Sequence, residues 1–252
     1  MARAQRHLVS RRSFLLGTVA AVTLAAAARL RALGAGSRVL RRAVMPSSEL
    51  VSQGTNPQTV HIICRDAWGA RPPTGEFIRN RVVRLTIHHS AVVLKDNRQA
   101  PQHFRDEQAY HQSLGWPDIA YHILIDRHGN VYKGRPFWAR GNTRTDYDPT
   151  GHLLFMCEGN FEAERIPDAQ VTALVEALAW ASEHFGVSPR RIKGHRDYAA
   201  TACPGKYLYA LIRSGEIRRR VKWRLRHGGV RLVRLCGTAG HRRVRAIENG
   251  TD

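Results

Sequence analysis

The apolar positions of this chain alternate between a period of about two and a period of about 3.6, and the switches mark out strands and helices. Val82-Val83-Arg84-Leu85-Thr86-Ile87-His88 is a short apolar, β-branched run, the mark of a buried strand, and Leu153-Leu154-Phe155-Met156-Cys157 is a second. Residues 120–125 and 130–132 flank Asp126-Arg127-His128-Gly129, which predicts a β-hairpin with glycine supplying positive φ in the loop. The clearest helix covers 168–185. Pro167 and Asp168 open it, Val171, Leu174, Val175, Leu178 and Phe185 recur at helical spacing, and Gly186 ends it. A helix over about 100–113 is expected to bury Phe104, Ala109 and Tyr110, and another runs through Tyr207, Leu208, Leu211 and Ile212 after Pro204-Gly205. No internal repeat is present. Strands interleaved with helices predict one α/β domain over 59–213, with a central mixed β-sheet flanked by helices.

Charge changes the picture at the two ends. The formal net charge is +20 over 252 residues. Residues 1–36 carry six Arg and no acid, and residues 213–252 a net +9, which leaves only +5 for 37–212. In the first segment, Ser10-Arg11-Arg12-Ser13-Phe14-Leu15-Leu16 leads into an apolar, Ala-rich stretch to Ala28, the layout of a secretory signal. Its paired Arg resembles a bacterial twin-arginine signal, so the twin-arginine export machinery is an expected partner and the periplasm or extracellular space the expected location. Retention through an uncleaved segment is the alternative, although ~15 helical residues span only ~22 Å of a ~30 Å hydrocarbon core. Residues 37–58 read as a linker. Residues 214–252 read as a basic extension whose candidate contacts are anionic wall polymers or lipid headgroups, with a solvated helix as the alternative. An exported chain is not expected to meet nucleic acid, and a monomer is expected.

Three residues then stand out chemically. Gly194-His195-Arg196-Asp197 and Ala202-Cys203-Pro204-Gly205 set an imidazole and a thiol a short loop apart, and His88 ends a buried strand upstream. Two His and one Cys are good zinc ligands, and three protein ligands leave the fourth tetrahedral position open, as in hydrolytic rather than structural sites. Were Cys203 a ligand, at least one of Cys64, Cys157 and Cys236 would lack an intramolecular partner. His89 and His122, adjacent to site candidates along strands, are expected to face away from them. His111 and Trp116 are candidates to line a substrate cleft, with core packing as the alternative.

Trp68-Gly69-Ala70, His88-His89-Ser90-Ala91, Tyr121-His122-Ile123-Leu124-Ile125, Gly159-Asn160-Phe161 and the two segments around His195 and Cys203 occur in one order over about 59–212. Together they resemble the zinc-dependent N-acetylmuramoyl-L-alanine amidases, a family that includes the peptidoglycan recognition proteins. The resemblance implies one zinc ion on His88, His195 and Cys203, and hydrolysis of the amide between N-acetylmuramic acid and L-Ala of peptidoglycan by zinc-activated water, assisted by the Tyr121 hydroxyl. A non-catalytic peptidoglycan-binding module is the rival reading. Two departures from the family pattern matter. Thr201 stands where some relatives carry Lys, so it can donate a hydrogen bond but supplies no charge. The segment 138–147 lacks the Gly-x-His of many relatives. Arg140 and Arg144 of that segment are candidate forks for a stem-peptide carboxylate, or else solvated loop residues.

Overall fold

The computed structural model describes residues 56–252, so the signal segment and most of the linker lie outside the described residues. Seven strands form one sheet: β1 (Gln58–Ile63), β2 (Arg84–His89), β3 (Ile123–Ile125), β4 (Val131–Lys133), β5 (His152–Cys157), β6 (Ile192–Gly194) and β7 (Val230–Leu235). Their spatial order is β6-β2-β5-β3-β4-β1-β7. Only the β3–β4 hairpin is antiparallel; all other neighbours run parallel, which makes the sheet mixed, as expected. Gly129 closes the hairpin at φ +87°, where a Cβ would also lie 2.8 Å from the Ala169 carbonyl oxygen.

Helices cover both faces: α1 (Ala100–Ser113), α2 (Asp168–His184), α3 (Lys206–Arg213), α4 (Glu216–Arg226) and α5 (Gly237–Asn249). The pleat of the strands separates two cores. Leu85, Ile87, Phe155 and Cys157 point toward α2, α3 and α4 and pack with Leu174, Leu178, Leu208 and Val221. Leu124, Met156 and Tyr132 point the other way, toward α1 and α5, and pack with Phe104, Val244 and Ile247. Thr86 and His88 alternate with Leu85 and Ile87 and so belong to the α1 face.

The helix over 100–113 forms with the expected bounds, but Tyr110 is 47% exposed rather than buried. Helical geometry explains this: with Phe104 and Gln108 turned inward, position 110 falls on the outer side. The basic extension is more than a solvated helix. Ile217 and Val221 seat α4 against α2, β7 pairs with β1 along its whole length, and α5 covers the α1-side core. A Cys64–Cys236 disulfide ties β7 to the end of β1, and Cys157 and Cys203 are free.

Candidate metal centre

His88 is the penultimate residue of β2, one strand in from the β6 edge, and pairing with Met156 of β5 fixes its backbone. His195 follows directly on β6, the neighbour of β2, in the short turn His195–Asp197. Asp197 stabilises that turn by accepting from Gly194 N at 2.8 Å. Cys203 returns to the same place because the loop after His195 folds back: Arg196 N donates to the Cys203 carbonyl at 3.0 Å. Gly205 then turns the chain into α3 at φ +86°, against a backbone wall where a Cβ would meet the Phe161 carbonyl carbon at 2.2 Å. No other residue fits there.

The structure brings the three donor atoms of His88, His195 and Cys203 within 4.8 Å of one another. His88 Nδ1 lies 3.7 Å from Cys203 Sγ. Tetrahedral bonds of ~2.3 Å to sulfur and ~2.0 Å to nitrogen would set these atoms about 3.5 Å apart. Burial and the neighbouring His195 hold the His88 imidazole far below its ordinary titration range, and burial lowers His195 to about 4. Both rings are therefore neutral and have lone pairs to give. Burial pushes the Cys203 thiol up to about 12, so without a cation it stays protonated. A divalent ion is what would stabilise the thiolate there. Two neutral imidazoles and a soft sulfur suit zinc, and the donor set fits the ion that the resemblance implies.

These groups lie in a cavity of about 300 Å³ on the α1 face. Tyr121 is among its lining residues, with its ring 5.2 Å from His88 and 5.8 Å from His111. Burial, followed by the nearby Glu107 and Cys203, pushes the Tyr121 phenol well above its ordinary range, so it remains a proton donor. Thr201 lines the cavity too and accepts from Cys203 N at 3.2 Å. His111 and Trp116 form a stacked pair in the wall, centroids 4.8 Å apart, and His111 Nδ1 accepts from Ala120 N. Arg144 reaches the lip, held by Tyr110 Oη at 2.5 Å. Arg140 is not brought to the cavity: its backbone bonds Ile78, beside the Arg79–Ala139 bridge, and this draws it toward residues 78–80. His122 serves the fold instead, with Nδ1 accepting from Leu154 N and Nε2 bonding the Ala139 carbonyl. The His89 ring accepts from Phe161 N, while its backbone N–H donates to Cys203 Sγ at 3.4 Å.

Other contributors lie outside the set expected from sequence. Thr145, from the irregular segment 135–150, bonds His195 Nε2 at 2.7 Å and thereby orients the ring. Glu158, fully buried, accepts from Ser90 Oγ at 2.9 Å and is bonded by His103 Nδ1 at 2.8 Å, which fixes the turn after His88 and His89. Glu107 lies one helical turn beyond His103, and its Oε2 is buried without a hydrogen-bond partner among the described residues. The polar series His103, Glu107, His111, four residues apart in a helix, was the readable clue to this inward face.

Burial and the nearby Glu158 raise the Glu107 carboxyl to about 8. With the folded value above the unfolded one, its contribution to stability is full in acid and is lost as pH rises toward 8. Replacing Glu107 by Gln is therefore expected to change stability little at pH 5 and to raise it by on the order of 2 kcal/mol at pH 8. Urea unfolding of both proteins at the two pH values checks this; parallel pH dependences would contradict it.

Compared with known proteins, residues 78–206 match the family model described as N-acetylmuramoyl-L-alanine amidase. The chain belongs to the N-acetylmuramoyl-L-alanine amidase family. Among relatives of this amidase-family chain, the peptidoglycan-recognition protein SC1a/b of Drosophila simulans is 32% identical over 176 residues, covering 68% of the chain and 91% of that protein. The crystal structure of Drosophila peptidoglycan recognition protein SD superposes with a TM-score of 0.57 at 33% identity, over 61% of the chain and 94% of that structure. Peptidoglycan recognition protein LE, solved in complex with tracheal cytotoxin, a monomeric diaminopimelic acid-type peptidoglycan, is 28% identical with a TM-score of 0.56, over 61% of the chain and 92% of that one. The matched family segment ends at α3, so α4, β7 and α5 are additions beyond it.

Proposed function

We propose that the protein is a zinc-dependent N-acetylmuramoyl-L-alanine amidase that cuts the bond between the lactyl group of N-acetylmuramic acid and L-Ala of the stem peptide. The observation that carries this reading is the convergence of two neutral imidazoles and a thiol beside the protonated hydroxyl of Tyr121, within one cleft. His88, His195 and Cys203 would hold the zinc, which when bound would supply Lewis acidity to water, whose pKa such an ion brings toward ~7, and to the scissile carbonyl.

The chain's own groups do the rest. His195 is held in one orientation by Thr145, and its Nε2–H donates to the threonine when Nδ1 serves the ion. Tyr121 keeps its proton at all working pH values and donates a hydrogen bond to the carbonyl oxygen as that atom gains charge. Thr201, uncharged, is a second hydroxyl at the same wall. Water oxygen adds to the lactyl carbonyl carbon, the C–N bond breaks, and the nitrogen leaves as the protonated amine of L-Ala. His111 and Trp116 offer a flat wall for the glycan or stem, and Arg144 a cation for a stem carboxylate. The Cys64–Cys236 disulfide supports an exported setting, where disulfides persist.

The test is digestion of purified peptidoglycan with and without chelator, with products identified by mass spectrometry. Free stem peptides with an L-Ala amino terminus, lost on chelation and restored by zinc, are expected. Released disaccharide-peptides would overturn the bond assignment. Sedimentation with peptidoglycan and no products in the presence of zinc would mark a binding module.

A further inference from the structure

Outside the cleft, the largest unexplained feature is a cationic face. The buried positions of α4, Ile217 and Val221, look toward α2. Its outer side carries Arg218, Lys222 and Arg226 at successive i, i+4 steps, about 6 Å apart along the axis, with Arg219 beside them. All four are exposed. The face continues onto the sheet edge: Lys193 of β6, Arg213 of α3 and Arg218 border one recess of about 170 Å³, and exposed Arg190 and Arg191 precede β6 in a turn packed on α4.

Among the described residues, none of these eight cations lies within salt-bridge distance of a carboxylate. Arg220 and Arg224, on the flank toward α2, are instead matched by Glu216 at 3.8 Å and Glu176 at 3.7 Å. The one acid in the recess, Asp197, is already engaged by Gly194 N and Tyr209 Oη. Eight like charges without counter-charges repel one another, a cost that an anionic partner would relieve. Trp223 lies in the same helix, 48% exposed, its ring stacked on His227 at 4.3 Å.

We infer that the outer face of α4, with the adjoining edge at β6, docks on an anionic lipid bilayer. Charge complementarity calls for an anion, and Trp223 among the cations selects a headgroup layer, where an indole is favoured over bulk water, above a soluble polyanion. The apolar side of α4 is occupied by α2, so the protein adsorbs folded and does not insert the helix. The cleft belongs to the opposite, α1 face of the sheet, so adsorption through α4 leaves it open and turned away from the lipid.

The experiment is co-sedimentation of the full chain with phosphatidylcholine vesicles, with and without phosphatidylglycerol, over a salt series. The fourfold variant Arg218→Gln, Arg219→Gln, Lys222→Gln, Arg226→Gln and the single variant Trp223→Ala are compared with it. All share the same amino-terminal segment, so its contribution cancels. The native chain is expected to bind the anionic vesicles, less tightly as salt rises; the fourfold variant is expected to bind them about a hundredfold more weakly or worse, and Trp223→Ala several-fold more weakly. Binding to pure phosphatidylcholine should be the same for all. Thermal melts verify folding, and the double variants Arg218→Gln/Lys222→Gln and Arg219→Gln/Arg226→Gln, each expected to lose about tenfold, serve if the fourfold variant unfolds. Equal binding of native and charge-stripped chains to anionic vesicles overturns the inference. So does unchanged vesicle binding by Trp223→Ala together with charge-dependent capture by soluble polyphosphate, which would assign the face to a soluble polyanion.

Discussion

Replacing Cys203 by Ala is expected to abolish zinc retention and to reduce peptidoglycan amidase activity by at least about 10³-fold, because several kcal/mol of transition-state stabilisation leave with the ion. The thiol is the group least suited to its place without a cation. Burial keeps it protonated, and the backbone N–H of His89 at 3.4 Å compensates only in part. His88 and His195 alone would leave two neutral ligands in a cleft open to water, a weak pair for retaining zinc. Folding should survive, since alanine removes only one sulfur and the loop is still held by the Arg196 N to Cys203 carbonyl bond. The decisive readings are metal content after dialysis and the melting temperature with added zinc. The native protein should gain stability with zinc by mass action, and the variant should not. A variant that retains one equivalent of zinc and full activity would remove Cys203 from the site.

Strands β2 to β5 and helices α1 to α3 were legible because burial leaves a plain periodic trace. Leu85, Ile87, Leu153 and Phe155 are apolar in sequence because they are sandwiched between layers, and the helix 168–185 shows its stripe because only one side meets the sheet. The extension was harder to read. In α4 two buried positions are set among six Arg and Lys, so charge hides the short apolar stripe that seats the helix. Nothing local in Val230–Leu235 reveals that it pairs with β1, more than 160 residues earlier in the chain. In the site, residue types and their mounting carried the signal: His88 at a strand end, His195 and Cys203 around one loop. Thr145 and Glu158 act through hydrogen bonds formed only by tertiary folding, and no spacing rule encodes those. Arg140 and Arg144 show the same limit from the other side. Both were equal candidates in sequence, and the local path of the backbone separates them.

Tyr121→Phe should lower kcat by about 10²–10³-fold while leaving KM, zinc content and melting temperature close to native. The phenylalanine ring keeps the packing that Tyr121 makes against the α1-side core and beside His88 and His111. What is lost is one hydroxyl, which has no hydrogen-bond partner among the described residues and belongs to a cavity-lining side chain. A donor free in the resting site is available to the carbonyl oxygen when charge develops there, so its contribution falls on the transition state rather than on substrate binding. The pH profile separates this role from that of a base. Burial and the neighbouring Glu107 and Cys203 hold the phenol well above its ordinary range, so a donor role predicts no alkaline limb from Tyr121 below pH 10 in the native enzyme, and profiles of the same shape for native and variant. A base role would need a phenolate and a rate that climbs with pH until the residue is removed. A variant with native kcat would show that zinc and its ligands suffice, with Thr201 as the remaining hydroxyl at that wall.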